Sequence, residues 1–387
     1  MGLLVIQGGI VYNPCTKKKE QKDLVISGNS IALPGLDAGE AVKKGAKVVQ
    51  AEGCLVVPGL IDYHIHLFTG NDGGVNPDAV GLPSGVTTEV DGGTCGASNF
   101  SSFVNSDAAS SIVRVKAYLN VASGGLATGR YTENVNPDFF EKDKIKRLFN
   151  HYPDILTALK FRISRNIVET SGKGLFGKPL EETVELAGEI GCPVVVHMNN
   201  PVIPPEEASA MLRPGDVFCH MYYGDGDTIL DEKGRVKPEI WKARERGVVF
   251  DACNGRNNFA FKTAVPAVRE GFIPDIISTD ISPITFYKQP AVSLPYLLSK
   301  YMGMGLSLEQ VIDCATINPA RLLGMEEELG SLNPGTEADI AVFKVKECQV
   351  TFGDYLGDVL KGDRILVPQM TIKGGEIVYC QTDFNCN

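Results

Sequence analysis

GLIDYHIHL, residues 59–67, opens on a glycine, runs through apolar positions and sets His64 and His66 two residues apart. Residues two apart on a strand face the same side, so the pair reads as one strand end presenting two imidazoles to a single point. Seven segments of similar texture follow: TTEVDGG (87–93), RVKAYLNVAS (114–123), LTALKFRIS (156–164), PVVVHMNN (193–200), DVFCHMYYG (216–224), VVFDACNG (248–255) and DIISTDI (275–281). Between them lie amphipathic runs, among them DFFEKDKIKRLFNHY, LEETVELAGEIG, EIWKARERG and FKTAVPAVREG, several closing on a Gly suited to a helix C-cap. Eight strand–helix repeats predict an α/β chain folded as a (β/α)8 TIM barrel, whose chemistry gathers at the C-terminal ends of its strands.

The flanks have another texture. LLVIQGGIVYN (3–13) and DLVISGNSIALPG (23–35), with ADIAVFKVKE (338–347) and MTIKGGEIVYC (370–380) at the far end, alternate or turn at Gly as hairpin strands do. Both termini are therefore expected to share one small β-sandwich, built from residues 1–57 and residues 331–387, beside a barrel at 58–330.

Charge and cysteines narrow the partners. The chain's 387 residues hold 37 Lys+Arg against 47 Asp+Glu, a formal net charge of −10, and its longest basic run is KKK at 17–19. That argues against nucleic acid and anionic membrane as partners. MGLLVIQGG lacks a basic leader, and no apolar run approaches membrane-spanning length. Ten scattered cysteines without a C-x-x-C pair read as reduced thiols of a cytoplasmic protein. Nothing in this composition opposes a homo-oligomer.

The predicted strand ends carry the chemistry. His197 ends PVVVHM and His220 ends DVFCHM, so four of the five histidines stand at strand ends; His151, in FNHYPD, follows no apolar strand and reads as a surface residue. A lone His at a strand end is ordinarily a core or rim residue, but the joint pattern suits a metal. Lys160 lies in an apolar strand, LTALKFRIS, and Asp280 ends IISTDIS. A buried lysine is costly as an ammonium, whereas its neutral amine reacts with carbon dioxide to give a carbamate with two oxygens able to bridge cations. On this reading His64, His66 and Asp280 hold one ion, His197 and His220 a second, and carboxylated Lys160 joins them. Two such ions lower the pKa of a bound water and polarise a carbonyl, and Asp280 is placed to shuttle the proton.

GLIDYHIHL, LKFRIS, VVVHMNN, CHMYYGDG and ISTDIS, with the late NPARLLGM and LGSLNPGTEADIAVF, resemble the amidohydrolase superfamily across essentially the whole chain. VDGGTCGASNF, AYLNVASGGL and PDIISTDIS are similar to its dihydroorotase-like deacetylase branch. The resemblance implies two divalent metal ions, Zn2+ in kind, a carboxylated Lys160, and hydrolysis of a small acyl amide or ester by metal-bound hydroxide, a deacetylase activity above all. Cyclic amide hydrolysis of the dihydroorotase or hydantoinase kind is the alternative enzyme reading. A non-catalytic scaffold barrel is the rival from another class, and its relatives look as if they have lost ligands that this chain keeps.

Pocket residues are also expected. Arg162, two beyond Lys160, is a candidate anchor for a substrate carboxylate. Asn199 and Tyr222 stand in the same relation to His197 and His220. Asn254 occupies the place in FDACNGRNNFAF where the branch is expected to have His, and an Asn donates a hydrogen bond but moves no proton near neutral pH. Cys95 and Cys253 read as small buried fillers.

Overall fold

The computed structural model describes residues 2–71, 73–127 and 131–384. Short apolar runs broken by Gly make the N-terminal strands β1 (Leu3–Gln7), β2 (Ile10–Asn13), β3 (Lys18–Gln21), β4 (Leu24–Ser27), β5 (Ser30–Ile31), β6 (Lys47–Gln50) and β7 (Leu55–Pro58). Seven parallel strands follow: β8 (Leu60–Ile65), β9 (Val86–Asp91), β10 (Arg114–Asn120), β11 (Leu156–Arg162), β12 (Val194–His197), β13 (Val217–Cys219) and β14 (Val249–Asp251). They lie side by side in chain order, which is what strand–helix–strand crossovers produce. The four amphipathic runs quoted above fold as helices Lys142–His151, Lys178–Ile190, Pro238–Glu245 and Phe261–Arg269. Gly191 ends the second of these in a left-handed turn, its N–H on the Ala187 carbonyl.

The eighth expected strand departs from the ladder. Only one parallel bridge, Asp251↔Ile276, is formed along 275–281. Asn254 N and Gly255 N donate to Ser278 O and Thr279 O on one side, while Asp280 N donates to His64 O and Ile281 O accepts from His66 N on the other. The physical cause lies in two residues. Asp280 has a φ of +52°, outside the strand region, and the buried Asp62 carboxylate takes the Thr279 N–H and hydroxyl in place of a backbone partner. Segment 275–281 is thus bonded to both edge strands of the parallel sheet. Inside, Tyr63, Val90, Tyr118, Ala158, Val195, Val217, Cys219, Cys253 and Ile276 form one buried cluster drawn from all eight segments. Each aliphatic side chain so buried contributes about 1.5–3 kcal/mol, which keeps the strand ends in register.

The C-terminal strands are β15 (Ile340–Gly353), β16 (Val359–Lys373) and β17 (Glu376–Cys380). A four-stranded sheet runs β5-β4-β1-β6, and a six-stranded sheet runs β17-β16-β15-β7-β2-β3, so the second combines both ends of the chain. Leu4, Ile6 and Ile26 of the first sheet share a buried cluster with Val56, Ile340, Val342 and Ile372 of the second. Among the described residues no helix is long and apolar enough to cross a membrane.

Candidate metal centre

The C-terminal ends of the parallel strands open into a cavity of about 490 Å3, lined by His66, Lys160, His197 and Asp280 among others. All six predicted donors converge there. His66 Nε2 lies 3.0 Å and His64 Nε2 3.8 Å from Asp280 Oδ1. Lys160 Nζ is 3.3 Å from His64 Nε2. The His220 ring is 5.5 Å from the His64 ring and 4.2 Å from the His197 ring, centroid to centroid.

Glycines make this approach sterically feasible. A Cβ on Gly92 would stand 2.4 Å from the His64 ring, and one on Gly93, at φ +86°, 2.6 Å from Lys160 Cβ. The VDGG run after β9 therefore leaves room for one imidazole and one lysine stem.

Hydrogen bonds behind the rings choose their tautomers. His220 Nδ1 faces the Cys253 carbonyl at 2.8 Å, which can only accept, so the proton sits on Nδ1 and the lone pair on Nε2. That Nε2 is buried and has no hydrogen-bond partner among the described residues. The Thr94 hydroxyl donates to Asp91 Oδ2 at 2.7 Å and is therefore an acceptor for His66 Nδ1 at 2.8 Å. This leaves the His66 Nε2 lone pair facing the Asp280 carboxylate at 3.0 Å, two acceptors that repel unless a proton or a cation lies between them. Neutral imidazoles and a carboxylate aimed at one point, with an orphaned buried nitrogen beside them, fit a divalent ion of the zinc type.

The electrostatics agree. Burial, then the charge of Lys160, pushes the His64 pKa down to about 4. Burial and the neighbouring His220 hold His197 well below the usual histidine range. Burial would raise Asp280, but where a proton rather than a cation lies between it and His66 Nε2, that hydrogen bond and the surrounding imidazoles outweigh burial and keep the carboxyl below its ordinary value. Near neutral pH these groups are already in the protonation states that metal ligands require.

A family model described as the amidohydrolase family matches residues 254–378. That stretch is similar to the amidohydrolase family. Over 337 residues it is 29% identical to a protein of Agrobacterium fabrum named a deacetylase, covering 85% of this chain and 80% of that one. A crystal structure of a dihydroorotase superposes with a TM-score of 0.87 at 26% identity, covering 98% of both chains. One of an adenine deaminase gives 0.85 at 27% identity, covering 98% of this chain and 99% of the other.

Two expected pocket residues lie elsewhere. Tyr222 is fully buried, its hydroxyl donating to the Phe272 carbonyl at 2.7 Å. The cause is His220, whose φ of +65° turns the backbone just after β13 and ends the period of two. Asn254 is also fully buried; it donates to Tyr301 Oη at 3.0 Å and accepts from Lys300 Nζ at 3.1 Å. Strand β14 stops at Asp251, so alternation carries no information three residues later. Arg162 and Asn199 do line the cavity. Asn199 Nδ2 donates to Asn258 Oδ1 at 2.7 Å, and Asn258 Nδ2 to Asp280 Oδ2 at 2.9 Å. His151 is exposed at its helix end, and Cys95 and Cys253 are buried.

Sequence reasoning missed Glu133 and Arg256. Buried Glu133 accepts from Arg162 NH1 at 2.5 Å and from Asn120 Nδ2 at 2.7 Å. Arg256 lines the cavity, and its guanidinium has no hydrogen-bond or ion-pair partner among the described residues. Both sit in loops, where no periodicity marks the inward face; the one available signal was that Arg162, set in a strand, needed an anion.

Lys300, behind Asn254, supports a prediction of its own. It is fully buried in helix Leu294–Gly303, bonded to Asn254 Oδ1 and the Pro290 carbonyl and set over the Phe259 ring, and burial lowers its pKa to about 7. Between that value and the ordinary lysine pKa near 10.4 the unfolded chain binds the extra proton, so stability rises with pH across the window. Urea unfolding at stepped pH is expected to show that rise in the wild type and a flatter profile in Lys300→Met. Equal profiles would remove Lys300 as its source.

Proposed function

We propose that the chain is a binuclear metal-dependent hydrolase acting on C–N bonds other than peptide bonds, and on esters, with a deacetylase as the leading assignment. The observation that carries this is the meeting of these six side chains at the strand ends, with His220 Nε2 buried and without a partner among the described residues. One ion falls to His64, His66 and Asp280, a second to His197 and His220, with Lys160 between them as a carbamate formed from carbon dioxide. Zn2+ suits these nitrogen and oxygen donors. When bound, two such ions lower the pKa of water toward about 7 and polarise a carbonyl.

The chain's own groups supply the rest. Asn258 holds Asp280 by Oδ2, which keeps Oδ1 toward the imidazoles. Asp280 takes the proton of the attacking water and returns it to the leaving amine or alcohol. The cavity accommodates a small molecule, and charged and amide side chains make up most of its lining.

The proposal extends to a carboxylate on the substrate. Arg162 spends one side of its fork on Glu133, whereas Arg256 has no partner among the described residues, so recognition divides between them. Arg256→Met is expected to lower kcat/KM by about 1–3 kcal/mol for an acidic substrate and little for its neutral amide. Arg162→Met strands the buried Glu133 carboxylate and should reduce both substrates and lower the unfolding midpoint. The reverse pattern would make Arg162 the reader of the acid.

Cyclic amide hydrolysis is the second reading, favoured by the close superposition on a dihydroorotase. We further infer a closed eight-segment barrel, supported by the hydrogen bonds of 275–281 to both sheet edges, and a sandwich of the two terminal sheets, supported by their shared apolar cluster. The division into 1–57, 58–330 and 331–387 follows from that reading. A cytoplasmic setting fits the eight free thiols from Cys15 to Cys348. The test is turnover of N-acetyl and O-acetyl acids against cyclic amides by metal-loaded protein. Cleavage of the acetyl compounds alone supports the deacetylase, cleavage of the rings alone the second reading. Inertness toward both with the ions bound would contradict hydrolysis of this kind.

A further inference from the structure

Behind the ring of His64, on the side away from Lys160 and Asp280, lie two thiols that the proposed hydrolysis does not use. Cys219 ends β13, and Cys253 follows β14 on the neighbouring path; both thiols are buried in the sheet interior. One donor atom from each of His64, Cys219, His220 and Cys253 lies within 4.8 Å of every other. Cys219 Sγ is 3.3 Å from His64 Nδ1, the nitrogen left over when Nε2 faces Lys160 and Asp280.

We propose that these four residues form a site for a thiophilic cation of the Cd2+, Hg2+ or Cu+ class. Bonds of about 2.3 Å to sulfur and 2.0 Å to nitrogen around a tetrahedral ion set its donors roughly 3.3–3.8 Å apart, so the cluster needs only a small contraction to close on one. Two sulfurs and two imidazoles are a soft set, which separates this site from the harder carboxylate-containing set above it. As each sulfur–metal bond forms, the thiol proton leaves to solvent. Because His64 and His220 belong to both sets, a soft cation seated here draws on the groups that the catalytic ions need, and its occupation inhibits.

The test titrates the metal-loaded protein with Cd2+ and follows the ultraviolet sulfur-to-cadmium charge-transfer band, with bound cadmium measured after gel filtration. The readout does not depend on the hydrolase reading, so the two can fail separately. The expected result is a band saturating at about one added Cd2+ per chain, absent from Cys219→Ser/Cys253→Ser and retained in Cys95→Ala. Cys253→Ser alone, which keeps the Cys219–His64 contact, guards against misfolding of the double variant and should weaken the band per bound ion. Cadmium bound without the band, or an undiminished band in both cysteine variants, would overturn the proposal.

Discussion

Lys160→Ala is expected to empty at least one of the two ion positions and to remove nearly all hydrolysis. Lys160 is 3% exposed on β11, its amine 3.3 Å from His64 Nε2, and among the described residues it has no carboxylate partner. A buried lysine without an anion bonded to it is a candidate for carbamate formation. Reaction of the neutral amine with carbon dioxide forms an N–C bond, releases a proton and leaves an anion with two oxygens where two cations need one. On the proposed reading, alanine deletes a bridge and a ligand to each ion together. A short carboxylate such as propionate should restore some of the activity by entering the vacated space. A Lys160→Ala protein with full metal content and unchanged turnover would show that the lysine is no bridge.

Asp280→Asn should separate metal binding from proton transfer. The amide keeps an oxygen for the ion and retains space beside Gly255, where a Cβ would come within 2.1 Å of Asp280 Oδ2. It cannot carry the proton, so kcat is expected to fall by about 10²–10⁴ while most of the metal stays bound. The comparison is rate per metal-loaded site against metal content. Loss of metal with the rate per loaded site intact would reduce Asp280 to a ligand.

Much of this was legible because the barrel writes its plan in short, repeated units. Seven of the eight strand segments form strands, since β-branched runs such as VVV before His197 have few ways to be buried other than in a parallel sheet. The six side chains that meet at the strand ends were readable because each lies in or closely follows such a run. Legibility stops where the backbone leaves the strand. The positive φ of His220 carries Tyr222 away from the cavity, and the end of β14 at Asp251 leaves Asn254 facing Lys300 and Tyr301. DIISTDI was correctly located between β14 and β8, yet the Asp62 side chain replaces some of its ladder, an interaction between residues more than two hundred positions apart. Glu133 and Arg256 come from loops, whose inward faces are set by tertiary contacts alone.

The most direct measurement is the metal content of the purified protein, taken before and after chelation and on reconstitution in bicarbonate. The account predicts about two divalent ions per chain, lost together with acyl hydrolysis and regained together with it. A chain that binds no ion under any of these conditions and still folds would contradict it, and would leave the strand-end cluster a remnant within a scaffold.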